Sequence, residues 1–262
     1  MSDAPQLTAF LMYHELECVG RALCSPDAGY VRYVVSERDF AAQMQQIATI
    51  GKRGIGVSEW VDGDDATATA SVVLTFDDGC ETDLIAAVPI LRAHGFRATF
   101  YLTFDYLDRP GFLARTQVRE LAANGMEIGC HSMSHAFLSD VDDASLRREV
   151  VQAKHELEHL AGVAIRSFSC PGGRFDERLL PLARQAGYDS VTTSKAVWNR
   201  HTPRPDMLGR IAIMRDTRMP RFISALSGQE IGARRLRESV LSAAKRVLGN
   251  ALYEKLRAQL LG

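Results

Sequence analysis

Short apolar runs, each followed by a stretch of helical spacing, recur along this 262-residue chain. Seven runs read as strands: TAFLMYH (8–14), SVVLTF (71–76), RATFYLTF (97–104), MEIGC (126–130), IRSFSC (165–170), DSVTTS (189–194) and RIAIMR (210–215). Most carry β-branched or aromatic residues and stop at polar, Gly or Pro positions. Between them apolar residues return every three or four positions. Ser36 and Asp39 resemble a capping box, with Asp in place of Glu, ahead of Phe40, Met44 and Ile47. A second helix fits 82–94 and stops at Gly95, and a third, ARTQVRELAANG, stops at Gly125. Over 143–161, Leu146, Val150, Leu157 and Leu160 lie near one face, with Gly162 as the stop. DERLLPLARQAG gives a last short helix, with Pro181 in its first turn or bending it.

Strands alternating with helices imply a parallel sheet. About seven such units in roughly 230 residues favour a closed barrel, whose chemistry gathers at the C-terminal ends of the strands. TFDDG, CHSMSH and SCPGG all fall at such ends. The organisation expected is a barrel over 1–228 and an amphipathic helical extension over 229–262. In that extension Leu236, Val240, Leu241, Ala244, Val247 and Leu248 make an apolar stripe, and Arg234, Arg235, Arg237, Lys245 and Arg246 outnumber the acids. It suits packing on the barrel or on a second subunit, or peripheral contact with an anionic membrane through 230–262.

Composition narrows the function classes. With 46% hydrophobic and 24% charged residues the chain has an ordinary globular core, and a net charge of −1 argues against a nucleic-acid binder. Its five cysteines are scattered and form no CxxC pair, so neither a zinc knuckle nor a disulfide framework is expected. The opening MSDAPQLTAFLMYHE lacks the basic and long apolar regions of a signal peptide, and no run is long enough to span a bilayer. The expected location is therefore cytoplasmic, with the basic tail able to reach the inner face of the membrane.

The end of SVVLTFDDG raises a chemical question. Adjacent buried carboxylates repel one another, so a positive partner should sit close to Asp77 and Asp78, most simply a metal ion. His131 and His135 follow the strand MEIGC and, four apart, are expected on one face of a helical turn. Imidazoles with a carboxylate make a ligand set for zinc or a similar divalent ion. Cys130 reads as strand packing, and His155 and His159 as a solvated helix face. Cys80 follows TFDDG directly, and proximity alone suggests an oxidant-sensing thiol there.

TFDDG together with HSMSH resembles the NodB-homology polysaccharide deacetylases, carbohydrate esterase family 4, over roughly residues 8–215. The resemblance implies a distorted (β/α)7 barrel, a divalent metal, usually zinc, and removal of an N-acetyl group from an amino sugar. Carried over by position, Asp77 is the catalytic base, and Asp78, His131 and His135 hold the metal. The family's general acid is a His in a late LxxH motif, which RIAIMRDT lacks. An early match, Leu11-Met12-Tyr13-His14, resembles the arrangement of permuted members and offers His14 as the acid. The third family motif, RxPxG, appears as Ser169-Cys170-Pro171-Gly172-Gly173, with Ser169 at the Arg position. Pro171 and Gly172 would border the substrate, the Gly172 N–H serving the oxyanion. Arg174 is either a replacement charge or a solvated loop residue. Asp189 and Trp198 match the fourth motif in part, Trp198 at the groove.

Lack of an export signal favours an N-acetylated, lipid-linked sugar or glycan precursor as the substrate. Alternatives are a deformylase or amidase on a lipid-linked amino sugar or other small amide, and a barrel that binds glycan without turning it over.

Overall fold

The structure, a computed structural model, describes residues 7–227 apart from 203, 204 and 206. The expected extension over 229–262 lies outside the described residues. Seven parallel staves follow one another round a curled sheet: β1 (Phe10–Tyr13), β2 (Ser71–Asp78), β3 (Thr99–Leu102), β4 (Glu127–Cys130), β5 (Ser167–Ser169), β6 (Ser190–Thr192) and β7 (Ile211–Ala212). β7 pairs with β1, Ile211 opposite Leu11. Three residues earlier, Leu208 bridges to Thr192 of β6, so the segment 208–212 closes the ring. This is a distorted (β/α)7 barrel, built from the seven runs that the apolar pattern picks out.

Alternation along each stave makes two cores. On β2, Leu74 and Phe76 face outward into the helix layer, where Phe76 stacks on Phe100 with ring centroids 4.7 Å apart. Val73 faces inward and joins Phe10, Tyr101 and Leu208 in a smaller cluster inside the barrel. The floor of that cluster comes from elements the pattern does not announce. A strand Arg53–Ile55 pairs with the first half of β2, and the helices Val57–Asp62 and Asp65–Thr69 follow. Ile55, Val57, Trp60 and Ala68 then plug the N-terminal end of the barrel. Gly54 in that strand is there for closeness, since a Cβ would come within 2.6 Å of Leu74.

The helices match their sequence signals. Glu37–Thr49 starts at Ser36, whose hydroxyl accepts the Asp39 N–H. Pro181 occupies the first turn of Leu179–Gln185, where no intrahelical N–H is needed. The 143–161 helix contains a wide turn at Arg148–Gln152, of the π type found at functional positions.

Candidate active site

At the C-terminal mouth β1 and β2 run side by side, Tyr13 opposite Phe76. His14 and Asp77 come next on the two strands. Regular alternation would send Asp78 outward after Asp77, as it sends Leu74 and Phe76. Instead Asp78 has φ 80° and Gly79 φ 84°. The left-handed backbone breaks the alternation, and both neighbouring carboxylates turn to one hollow. Such a conformation costs a non-glycine residue on the order of 1–3 kcal/mol and persists where surrounding structure fixes it.

The histidines are brought there by similar means. The segment 131–135 is an irregular loop and not the helical turn expected from the four-residue spacing, with φ 70° at Ser132 and 65° at His135. It is held from outside by Glu149, in the wide helical turn. The Glu149 carboxylate accepts the N–H groups of Met133 (3.0 Å) and Ser134 (2.8 Å) and the Ser134 hydroxyl (2.7 Å). His131 and His135 then face each other with ring centroids 5.0 Å apart. Their Nε2 atoms lie 3.6 and 3.4 Å from Asp78 Oδ1.

These three residues fit a metal. Their donor atoms all lie within 4.8 Å of one another. Asp78 Oδ1 is buried and has no hydrogen-bond partner among the described residues. His131 Nδ1 sits 2.9 Å from the Ser169 carbonyl, which can only accept, so Nδ1 carries the proton and the Nε2 lone pair faces the hollow. Burial pushes His131 down to about 3, which keeps the ring neutral. One carboxylate oxygen and two imidazole nitrogens suit zinc and its first-row neighbours.

Asp77 and Asp78 differ in their cations. Burial would raise Asp77, but the Arg210 guanidinium overrides it and holds the carboxyl well below the usual range. Burial, opposed by His14 and aided by the Asp77 charge, pushes Asp78 up to about 6. Arg210, itself buried, meets Asp77 through two parallel bonds, NH1 to Oδ1 and NH2 to Oδ2, each 2.7 Å. It also donates to Ser169 Oγ (2.8 Å), Thr75 Oγ1 (3.2 Å) and the Thr193 carbonyl (3.2 Å), and lies over the Tyr101 ring. The charge missing at position 169 is therefore supplied from the start of the last stave, and Ser169 has become its hydrogen-bond partner. Arg174 is not the replacement, since its guanidinium covers the Phe137 ring at 4.3 Å.

His14 stands near both carboxylates, close enough for its charge to lower each. Its ring lies over Tyr33 at 4.9 Å, and its Nδ1 is buried without a partner among the described residues. Pro171 and Gly172 form a tight turn after β5, Gly172 at φ 57°, where a Cβ would come within 2.8 Å of Phe137. Trp198 is a correction: it is half-buried against the helix-layer core and precedes Asn199, which pairs with Thr8 before the start of β1, so it lies away from the mouth. Asp189 is a correction: it precedes β6, at the opposite end of the barrel, and pairs there with Arg166. Cys130 is buried in β4, its thiol pushed up to about 12 by burial, and His155 and His159 are exposed, as the sequence suggests.

Sequence reasoning misses Arg210 and Glu149. A charge opening an apolar strand, and an acid within the stripe of Leu146, Val150 and Ala153, were the available signals.

Comparison with known proteins bears on this site. A family model described as Polysaccharide deacetylase matches residues 64–191, a span that contains Asp77, Asp78, His131 and His135 and leaves out His14 and Arg210. YxkH of Bacillus subtilis is 25% identical over 203 residues, 76% of this chain and 69% of its own length. A peptidoglycan-N-acetylglucosamine deacetylase of Bacillus cereus is 28% identical over 131 residues, 50% of this chain, and the match spans 57% of that protein. Among solved structures, the Streptococcus pyogenes deacetylase PplD, in complex with acetate, superposes with a TM-score of 0.74 at 21% identity, over 85% of this chain and 99% of that one. That likeness speaks to the fold.

Proposed function

Since the chain belongs to the polysaccharide deacetylase family of NodB homology, we propose that it hydrolyses the N-acetyl group of an amino sugar in a glycan or lipid-linked glycan precursor. The observation that carries this reading is the division of labour between two adjacent carboxylates. Asp77 has its own cation and stays ionised, while Asp78 shares a hollow with two neutral imidazoles. Asp78, His131 and His135 would hold a divalent metal, for which zinc is our choice; when bound it supplies Lewis-acid polarisation of the acyl group and acidifies water.

The residues of the chain provide the proton transfers. Asp77 accepts a proton from the water that attacks the acyl carbon. Arg210 fixes the carboxylate plane and keeps the residue ionised between turnovers. As the tetrahedral oxyanion forms, the Gly172 N–H donates to it. His14 gives its proton to the sugar nitrogen, the C–N bond breaks, and acetate and a free amine leave. Pro171 borders the sugar. Ser169 needs no charge of its own in this scheme, because Arg210 fills that place.

A glycan-binding barrel without turnover would have no use for a carboxylate held ionised beside a metal-fit hollow, so the hydrolase is the better reading. We favour the lipid-linked precursor among possible substrates; among the described residues no helix is long and apolar enough to cross a membrane. The test is acetate and free-amine release by the zinc-loaded full chain, from N-acetylglucosamine oligomers and from lipid-linked N-acetylated sugars. Release from either supports the reading. A chain that holds its metal and frees neither product from both substrate sets overturns it, and formate release from an N-formyl analogue would point to the deformylase.

A further inference from the structure

A second cluster of metal-ligating groups lies beside the site and plays no part in the reaction above. Cys24 and Cys80 are 56 residues apart in sequence, yet their sulfurs lie 3.6 Å apart. That separation is too long for a disulfide and close to the spacing of two thiolates on one tetrahedral zinc. The Glu15 carboxylate completes a triad whose donor atoms all lie within 4.8 Å of one another.

The surroundings look built to hold something between these groups. Glu15 is buried and makes no ion pair among the described residues; its oxygens accept the Cys24 N–H at 3.0 and 3.2 Å. A buried carboxylate without a cation is costly, the same deficit that marks Asp78. Tyr30 OH lies 3.2 Å from Cys80 Sγ, offering a fourth donor atom. Gly111, at φ 88°, leaves the room that Cys24 Sγ occupies, since a Cβ there would come within 2.9 Å of the sulfur. Asp83 is fully buried nearby, and neither of its oxygens has a partner among the described residues. The separation in sequence explains why counting CxxC spacings finds nothing here.

We propose that Cys24, Cys80 and Glu15 form a second metal site, for a thiophilic divalent ion of the zinc class. Thiolates select such an ion over magnesium or calcium, whose ligands are oxygens. Binding releases the two thiol protons to solvent and leaves a Cys2Glu set, with Tyr30 or water as the fourth ligand. The ion would clip the loop after β1, which carries Glu15, Cys24 and Tyr33, to the turn after Asp78. Tyr33 lies against His14, so the clip would set one wall of the mouth.

Cobalt(II) tests this, because a thiolate bound to cobalt gives a near-ultraviolet charge-transfer band that the Asp78, His131 and His135 set, lacking sulfur, cannot give. Titration of the reduced full chain with cobalt(II) should produce this band. It should persist in H131A and vanish in C24S and C80S, each of which should bind one metal equivalent fewer. In the unmutated chain, zinc should protect Cys24 and Cys80 from alkylation, read by peptide mass mapping, which needs no variant to fold. Absence of the band in a metal-loaded chain, its survival in both serine variants, or no protection of the two cysteines by zinc would each overturn the site. So would a chain isolated with these two thiols already joined, lighter by two hydrogens. None of these outcomes depends on deacetylase activity.

Discussion

Arg210 grips Asp77 with both arms of its guanidinium, and the two residues stand 133 positions apart. The pair is buried, and a buried ion pair is stabilising only where geometry and further hydrogen bonds compensate desolvation. Here Ser169, Thr75 and the Thr193 carbonyl meet that need. Lysine keeps the charge and loses the fork. R210K is therefore expected to keep its metal and to lower kcat by about 10²-fold, since a misaligned base loses much of its contribution. Returning an arginine to the family position tests the argument directly. S169R combined with R210S should recover part of the activity lost in R210S alone. Failure of that rescue in a folded, metal-loaded protein would show that Arg210 does more than replace a displaced charge.

Asp77→Asn removes the proton acceptor and leaves Asp78, His131 and His135 in place. Bound metal, measured by elemental analysis, should stay at the unmutated level while turnover falls by about 10²–10⁴-fold. Asp78→Asn should show the opposite pattern, losing metal first. If both variants lost metal equally, the separate roles assigned to the two carboxylates would be wrong.

Much of this was readable from the chain, and the unread parts share a cause. Seven apolar runs give the staves because a stave buried on both faces needs a continuous apolar pattern. Asp77, Asp78, His131 and His135 lie in short local motifs at strand ends, where barrel chemistry gathers. What escaped depends on contacts between distant segments or on backbone handedness. Arg210 joins Asp77 only once the barrel closes, and Cys24 meets Cys80 only where the loops that follow β1 and β2 come together. The left-handed turns at Asp78, Ser132 and His135 leave no trace in hydropathy, and a helical reading of HSMSH follows from spacing alone. The Arg53–Ile55 strand is too short and too rich in flanking glycine to announce itself.

His14 is assigned as the acid for the departing amine, from an early motif. His14→Ala should keep its metal content and lose about 10²–10⁴-fold in kcat. The loss should shrink for an N-acetyl substrate analogue whose leaving nitrogen is less basic, because such a group needs less protonation. An equal loss with both leaving groups would make His14 a wall of the pocket and not a proton donor.

Glu149 offers the sharpest test of how the histidine loop is held. It touches neither the hollow nor any substrate surface, and it binds two backbone N–H groups and one hydroxyl of residues 133–134. Ordering partners of this kind typically change metal affinity by about 10–100-fold when removed. Glu149→Ala should therefore raise the metal dissociation constant by that factor, measured by competition with a chelator. Activity at saturating metal should change less, because the ligands themselves remain. Both N–H groups bind the same carboxylate oxygen, so Glu149→Gln can keep them on its amide oxygen and donate from its N–H2 to the Ser134 hydroxyl, and its affinity should fall less than that of the alanine variant. An alanine variant with unchanged affinity would mean that the left-handed turns at Ser132 and His135 hold the loop without help from the helix.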